Sequence, residues 1–144
     1  MLYVATAITN GDRNLERRVL AHRERRPPGW GTLEIRGGDL DEVLGEAERW
    51  DAVLLDSLTL WVSAQMAGGA DGTQILKTFE HFLRRVGSIT TPFFLVSDEV
   101  GSGVVPESEA GRRFRDVLGL VNQRAAAVAE EVCLCVAGLP VRIK

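Results

Sequence analysis

Acidic residues follow two apolar runs of the sequence, where the carboxyl ends of strands would present them to a ligand. Residues 52–55 are followed by Asp56, and residues 93–97 by Asp98 and Glu99. In a nucleotide enzyme, a carboxylate in such a place holds Mg²⁺ directly or through water. Asp56 alone is a weak indication, because many strands end in an aspartate that caps a turn or a helix.

The second acidic pair opens a loop that contains glycine. Gly101 and Gly103 follow it, so the backbone can approach a ligand closely, and Pro106 and Ser108 then predict the start of a helix. A glycine-rich connection with solvated acids would have the same sequence. The residues alone leave these two interpretations equally open.

A basic stretch near the start of the chain surrounds a histidine. Such a run is by default a solvated helix face, although the planar fork of arginine also suits phosphate. His22 falls on the apolar stripe with Leu15 and Val19, where a histidine is usually a satisfied core residue. The alternative is a nucleophile that holds a nucleotidyl group as a phosphoramidate. The arginines of this stretch are Arg13, Arg17, Arg18, Arg23, Arg25 and Arg26.

These groups need a scaffold, and the hydrophobic pattern predicts an α/β fold. Apolar runs without alternation predict strands covered on both faces, at residues 2–7, 52–55, 93–97 and 132–136. Amphipathic stretches predict helices over residues 12–25, 74–85 and 108–130. Strands that alternate with helices indicate a mostly parallel sheet, and residues 132–143 indicate a C-terminal hairpin.

Composition narrows the class of protein. The chain has 144 residues, 45% hydrophobic and 26% charged, which predicts one globular domain over residues 1–144. A net charge of -3 argues against nucleic-acid binding and against a basic membrane patch. No apolar run could span a bilayer and no secretory signal is visible, so we expect a cytoplasmic protein. Cys133 and Cys135 are expected to be buried thiols.

Two long motifs carry a family resemblance. Residues 22–34 have the form H-R-x-x-R-P-x-x-W-x-T-x-E, and residues 98–123 combine Asp98-Glu99-Val100-Gly101 with a later Asn122-Gln123. Over essentially the whole chain, the sequence resembles the bifunctional adenosylcobinamide kinase and adenosylcobinamide-phosphate guanylyltransferase family. The second motif is the more specific of the two.

The resemblance implies an enzyme of cobalamin biosynthesis. Such enzymes phosphorylate adenosylcobinamide with a nucleoside triphosphate such as ATP, and then transfer GMP from GTP through a covalent GMP-histidine. His22 matches that histidine, Asp56 the acid on the Mg²⁺ side, and Glu34 a carboxylate that suits guanine. The resemblance also implies a P-loop fold of RecA-like type, a homotrimer, and further nucleotide-site residues, namely Thr6, Arg23, Glu24, Arg25, Arg26, Asp98 and Glu99.

One part of the family pattern has no counterpart in the sequence. The family begins with a strand and a phosphate loop that ends in Gly-Lys-Ser or Gly-Lys-Thr, whereas the chain has only Lys77 and Lys144, neither of them in such a motif. The match thus starts one strand and one helix late, roughly 30 residues. A misassigned start, a decayed gene, and a catalytically silent protein that binds a nucleotide or a partner all fit, and each predicts an open sheet edge or apolar groove.

Overall fold

The computed structural model describes residues 1–7, 11, 13–35 and 38–144, except for the side chain of Leu15. Within these residues, four parallel strands form the main sheet, and they are β1 (Leu2–Ala5), β2 (Gly31–Glu34), β3 (Val53–Asp56) and β4 (Phe93–Val96). Their order is β2-β1-β3-β4. The predicted parallel sheet is therefore confirmed, although β1 ends at Ala5 and β2 was not predicted.

Helices follow the strands in the manner of βαβ units. They are α1 (Arg13–Glu24), α2 (Leu40–Ala47), α3 (Leu58–Ala67), α4 (Gly72–Val86) and α5 (Glu109–Val128). The predicted helices correspond to α1, α4 and α5, whereas α2 and α3 were not predicted. No helix of the described residues is long and apolar enough to cross a membrane.

The core lies between one face of the sheet and helices α2 to α5. Leu2 and Val4 of β1 point into it, as strand alternation requires. The stripe predicted for α4 is confirmed, since Ile75, Phe79 and Phe82 are all buried. Phe79 packs within 6.2 Å of Phe82 between ring centroids, and aromatic burial of this kind dominates core stability.

The predicted C-terminal hairpin is confirmed, but its surroundings differ from the expectation. Strands β5 (Cys133–Val136) and β6 (Leu139–Arg142) pair in antiparallel fashion as a separate sheet. Every residue of both strands is exposed. The prediction that Cys133 and Cys135 are buried is therefore wrong, because the hairpin packs on no other sheet of the described residues. Val128, predicted on the apolar face of α5, is also exposed.

Strand β4 has an open edge. It pairs with β3 on one side, and no other described strand pairs with it. Phe94 and Val96 are 52% and 42% exposed, so the expectation of strands covered on both faces is wrong for β4. The sequence of β4 is entirely apolar, whereas edge strands usually carry charged residues or proline.

Candidate active site

A cavity of about 360 Å³ opens at the carboxyl end of the main sheet. The strand register brings the ends of the strands level, because Ala5 pairs with both Glu34 and Asp56, and Asp56 pairs with Val96. This is the edge at which open α/β sheets bind their ligands. The cavity is lined by Tyr3, Ala5, Ala7, Arg18, Val19, His22, Arg26, Asp56, Ser57, Leu60, Val96 and Asp98.

Helix α1 supplies the histidine. His22 lies four residues after Arg18 and three after Val19, so the three side chains share one helix face, and all three line the cavity. His22 is exposed. The interpretation of His22 as a satisfied core histidine is therefore wrong, and its imidazole is open to a ligand in the cavity.

Strand β3 supplies the first carboxylate. Tyr3 donates a hydrogen bond of 2.5 Å from Oη to Oδ2 of Asp56, from two positions before Ala5, the residue of β1 that pairs with Asp56. Burial raises the pKa of the Tyr3 phenol to about 12, and the hydrogen bond and charge of Asp56 add to that rise. The phenol is therefore a neutral hydrogen-bond donor to Asp56 at physiological pH.

Arg26 covers the other side of the same tyrosine. Its guanidinium carbon lies 3.6 Å from the ring centroid of Tyr3, which is a close cation–π contact. Nη1 of Arg26 donates a 2.7 Å hydrogen bond to Oγ1 of Thr32 on β2. The segment after α1 is thus tied to β1 and to β2.

The second carboxylate, Asp98, lies two residues after the end of β4, and a small network of hydrogen bonds holds its backbone. The amide of Asp98 donates to Oγ1 of Thr59 on α3 over 2.8 Å, and its carbonyl accepts from Nδ2 of Asn122 on α5 over 3.2 Å. Ser97 Oγ donates to Oδ1 of Asn122 over 2.7 Å. These contacts fix the end of β4 beside the cavity and explain why the predicted motif reaches as far as Asn122.

The expected cluster of Asp56, Asp98 and Glu99 at one edge of the sheet is confirmed, but only two of the three side chains line the cavity. Asp56 and Asp98 follow adjacent strands and both line the cavity. Glu99 does not line it, because its Oε1 accepts a 2.7 Å hydrogen bond from the amide of Gly101. A Cβ at Gly101 would lie 2.6 Å from that same oxygen, so the Glu99 side chain would have to shift to admit one.

Other residues assigned by resemblance lie outside the cavity lining. Thr6 is buried, and its Oγ1 both donates to the carbonyl and accepts from the amide of Ser57, at 2.8 Å each. Arg23 Nη1 lies 3.8 Å from Oε1 of Glu34, an exposed ion pair. Glu24 and Arg25 are exposed at the end of α1. A role for these residues in nucleotide binding stays a prediction.

Sequence reasoning missed two cavity residues with functional chemistry, Tyr3 and Arg18. The Tyr3 signal was available in β1, because positions 3 and 5 share the strand face opposite to positions 2 and 4. A tyrosine inside an apolar strand also needs a partner for its hydroxyl group when it is buried. Arg18 was seen only as part of a basic run.

The carboxylates of the site suit a cation that is also coordinated by the bound ligand. Among the described residues, no three His, Cys, Asp or Glu side chains come together as a metal cage. Mg²⁺ commonly uses one or two carboxylates, with phosphate oxygens and waters as its remaining ligands. The two cavity carboxylates, Asp56 and Asp98, fit that kind of binding and do not fit a site made of protein ligands alone.

Comparison with known proteins supports the resemblance drawn from the motifs. The sequence profile of the family described as cobinamide kinase / cobinamide phosphate guanyltransferase matches residues 1–143. A relative from Pseudomonas aeruginosa, the bifunctional adenosylcobalamin biosynthesis protein CobP, is 39% identical over 143 residues, which is 99% of this chain and 81% of the relative. The bifunctional adenosylcobalamin biosynthesis proteins CobU from Escherichia coli and Salmonella typhimurium are each 34% identical over 157 residues, covering 100% of this chain and 86% of each relative. The chain belongs to the cobinamide kinase / cobinamide phosphate guanyltransferase family.

Proposed function

We propose that the cavity at the carboxyl edge of the sheet is a guanylyltransferase site in which His22 carries GMP. One observation carries the proposal: the exposed imidazole of His22 lines the same cavity as Asp56 and Asp98. Arg18 and Arg26 line that cavity too, and their guanidinium groups suit the phosphates of GTP. A nucleophile, cationic groups and carboxylates for a nucleotide-borne Mg²⁺ are the parts such a reaction needs.

The proposed transfer has two displacements. The neutral imidazole of His22 attacks the α-phosphorus of GTP, so a P–N bond forms, the bond to the β-phosphate oxygen breaks, and pyrophosphate leaves. An oxygen of adenosylcobinamide phosphate then attacks the same phosphorus and breaks the P–N bond. The product is adenosylcobinamide-GDP, and His22 is restored. Mg²⁺ would neutralise phosphate charge, with Asp56 and Asp98 as its candidate protein ligands.

The second part of the proposal concerns the kinase reaction of the family, with ATP or GTP as phosphoryl donor. Phosphoryl transfer depends on a lysine and backbone donors around the phosphates. Lys77 is exposed on α4, and Lys144 donates from Nζ to the carbonyls of Ala126 and Ala127 at 3.1 Å. We therefore expect this chain alone to phosphorylate adenosylcobinamide at close to background rate. Rapid phosphorylation by the purified chain would contradict that expectation.

The alternative function is a catalytically silent protein that binds a nucleotide or a partner chain. The absence of any Gly-x-x-x-x-Gly-Lys motif from the sequence favours it. GTP consumption and formation of a corrinoid product separate the two functions, because a binding protein produces neither.

Covalent labelling with α-labelled GTP tests the guanylyltransferase proposal. The labelling should be measured on the chain alone and on the chain extended by an N-terminal phosphate-loop segment. A phosphoramidate is labile in acid and relatively stable in alkali, so brief acid treatment should release the label and alkali should retain it. His22→Asn should abolish labelling without disturbing the fold, since His22 is exposed.

The chain offers a matched control in its other histidine. His81 is exposed on α4 and lies outside the cavity, so His81→Asn should label like the unchanged protein. If His22→Asn keeps the label, His22 is not the nucleophile. If His81→Asn loses the label too, its loss in His22→Asn does not identify His22. No acid-labile label on the extended protein would refute the guanylyltransferase proposal as a whole.

A further inference from the structure

Tyr3 is in contact with two opposite charges of the cavity. Its hydroxyl donates to Oδ2 of Asp56 over 2.5 Å, and its ring faces the guanidinium of Arg26, whose central carbon lies 3.6 Å from the ring centroid. Tyr3 is 8% exposed, so its ring is fixed by packing within the sheet. One rigid side chain therefore sets the positions of an anion and a cation in the same cavity.

The surroundings of Arg26 strengthen this point. Its Nη1 is engaged by Thr32, while its Nε is buried and has no hydrogen-bond partner among the described residues. A buried polar atom without a partner is unusual and is tolerated only where other contacts hold the group. The Tyr3 ring is such a contact, since the guanidinium lies directly over it.

We infer that Tyr3 is a positioning residue of the proposed nucleotide site, which orients the Asp56 carboxylate toward a nucleotide-borne Mg²⁺ and holds Arg26 toward the nucleotide. The inference rests on the proposed function. Tyr3 itself contacts neither the metal nor the reacting atoms. Its hydroxyl group donates to Asp56 and its ring faces Arg26, so Tyr3→Phe removes the contact with Asp56 and keeps the ring against Arg26.

The physical reason is the freedom of a carboxylate. An aspartate held at one oxygen presents its second oxygen in a fixed direction, whereas a carboxylate without that contact rotates and meets the cation in many orientations. Side chains that hold a metal ligand in this way are worth about 10- to 100-fold in metal affinity. The hydrogen bond between Tyr3 and Asp56 has the short distance of a bond to a charged acceptor.

The test compares GTP binding in Mg²⁺ with GTP binding in EDTA, measured by saturation-transfer NMR on the nucleotide, which detects weak binding. The quantity of interest is the Kd in EDTA divided by the Kd in Mg²⁺, which measures how much Mg²⁺ strengthens GTP binding. Tyr3→Phe removes the hydroxyl group and keeps the ring, so this ratio should fall by about tenfold while the Kd in EDTA stays unchanged. Tyr3→Leu removes both, so the Kd in EDTA should rise as well.

A double-mutant cycle with Asp56 distinguishes positioning from general damage. Asp56→Asn should lower the same ratio, and Tyr3→Phe should then add nothing, because both changes remove one interaction. The matched control is Asp51→Asn, two residues before the start of β3 and so far from its carboxyl end, which should leave both Kd values unchanged. Circular dichroism would confirm that each variant is folded.

Each outcome decides one of the two proposals. If Tyr3→Phe keeps the ratio of the unchanged protein, weakens binding equally in Mg²⁺ and EDTA, or adds its effect to that of Asp56→Asn, the positioning role is wrong and the proposed function stands. If the unchanged protein binds no GTP, or binds it without any effect of Mg²⁺, the proposed function fails and the inference about Tyr3 fails with it.

Discussion

The phenol of Tyr3 provides a direct measurement of the geometry at the cavity. The chain has one tyrosine, so the ultraviolet absorbance of tyrosinate reports on Tyr3 alone. In the folded protein the pKa should be about 12, against 10.0 for the unperturbed group. Asp56→Asn should lower the pKa of Tyr3 because it removes the charge and weakens the hydrogen bond. The pKa should still exceed 10.0, since burial is the largest cause of the rise.

Arg26 supplies the opposite perturbation. Its positive charge lowers the pKa of the Tyr3 phenol, so Arg26→Gln should raise that pKa further. The reference titration is the same protein in concentrated guanidinium chloride, where the pKa should return to 10.0 in every variant. A folded protein that titrates at the reference value, or an Asp56→Asn variant whose pKa does not fall, would refute the arrangement of Tyr3, Asp56 and Arg26.

The same shift has a consequence for stability. The folded state binds the Tyr3 proton more tightly than the unfolded state, so the stabilisation is fully present below pH 10 and is lost as the pH rises through about 12. Two pKa units correspond to about 2.7 kcal/mol. Tyr3 lines an open cavity, and solvent screening there reduces the expected contribution to about 1 kcal/mol.

Three further tests, each by denaturant unfolding, concern the core, a helix cap and a close contact at a glycine. Phe79→Ala should lower the free energy of unfolding by about 3–5 kcal/mol, because it empties a fully buried site; a loss below about 1 kcal/mol would contradict the described core. Asp71→Ala should cost about 1 kcal/mol, since it removes the capping box of α4, and an unchanged midpoint would show that the cap is not formed. Gly31→Ala should destabilise the protein, because a Cβ there would lie 2.4 Å from the Trp50 ring. Its control is Gly45→Ala, whose Cβ meets nothing within 4 Å and which should be neutral or mildly stabilising. Equal effects of the two substitutions would disprove the close contact.

The sequence predicted those parts of the fold and site that depend on local pattern. The stripe of Ile75, Phe79 and Phe82 has the helical period, and α4 follows it. The acids after β3 and β4 were expected to meet because parallel strands end at one sheet edge, and Asp56 and Asp98 do meet there. These conclusions needed no knowledge of contacts between distant residues.

The rest depends on contacts that no local pattern records. The partners Tyr3 and Asp56 are 53 positions apart, and only the strand register brings them together. Thr6 looked like a cavity residue, but its hydroxyl group is used by the backbone of Ser57. Apolar residues predicted a buried β5, yet a hairpin is buried only if another surface covers it, and its own sequence does not show whether one does.

The open side of β4 affects how the protein should be handled in solution. A row of unpaired amides and carbonyls beside Phe94 and Val96 is a template on which a strand of another molecule can form, and no charged residue of β4 opposes it. Aggregation by this route is a concentration-dependent process that competes with refolding. Sulfate and phosphate should promote it, because they strengthen apolar burial. Dilute protein, low concentrations of such salts, and light scattering as a monitor are therefore the conditions in which the experiments above are best done.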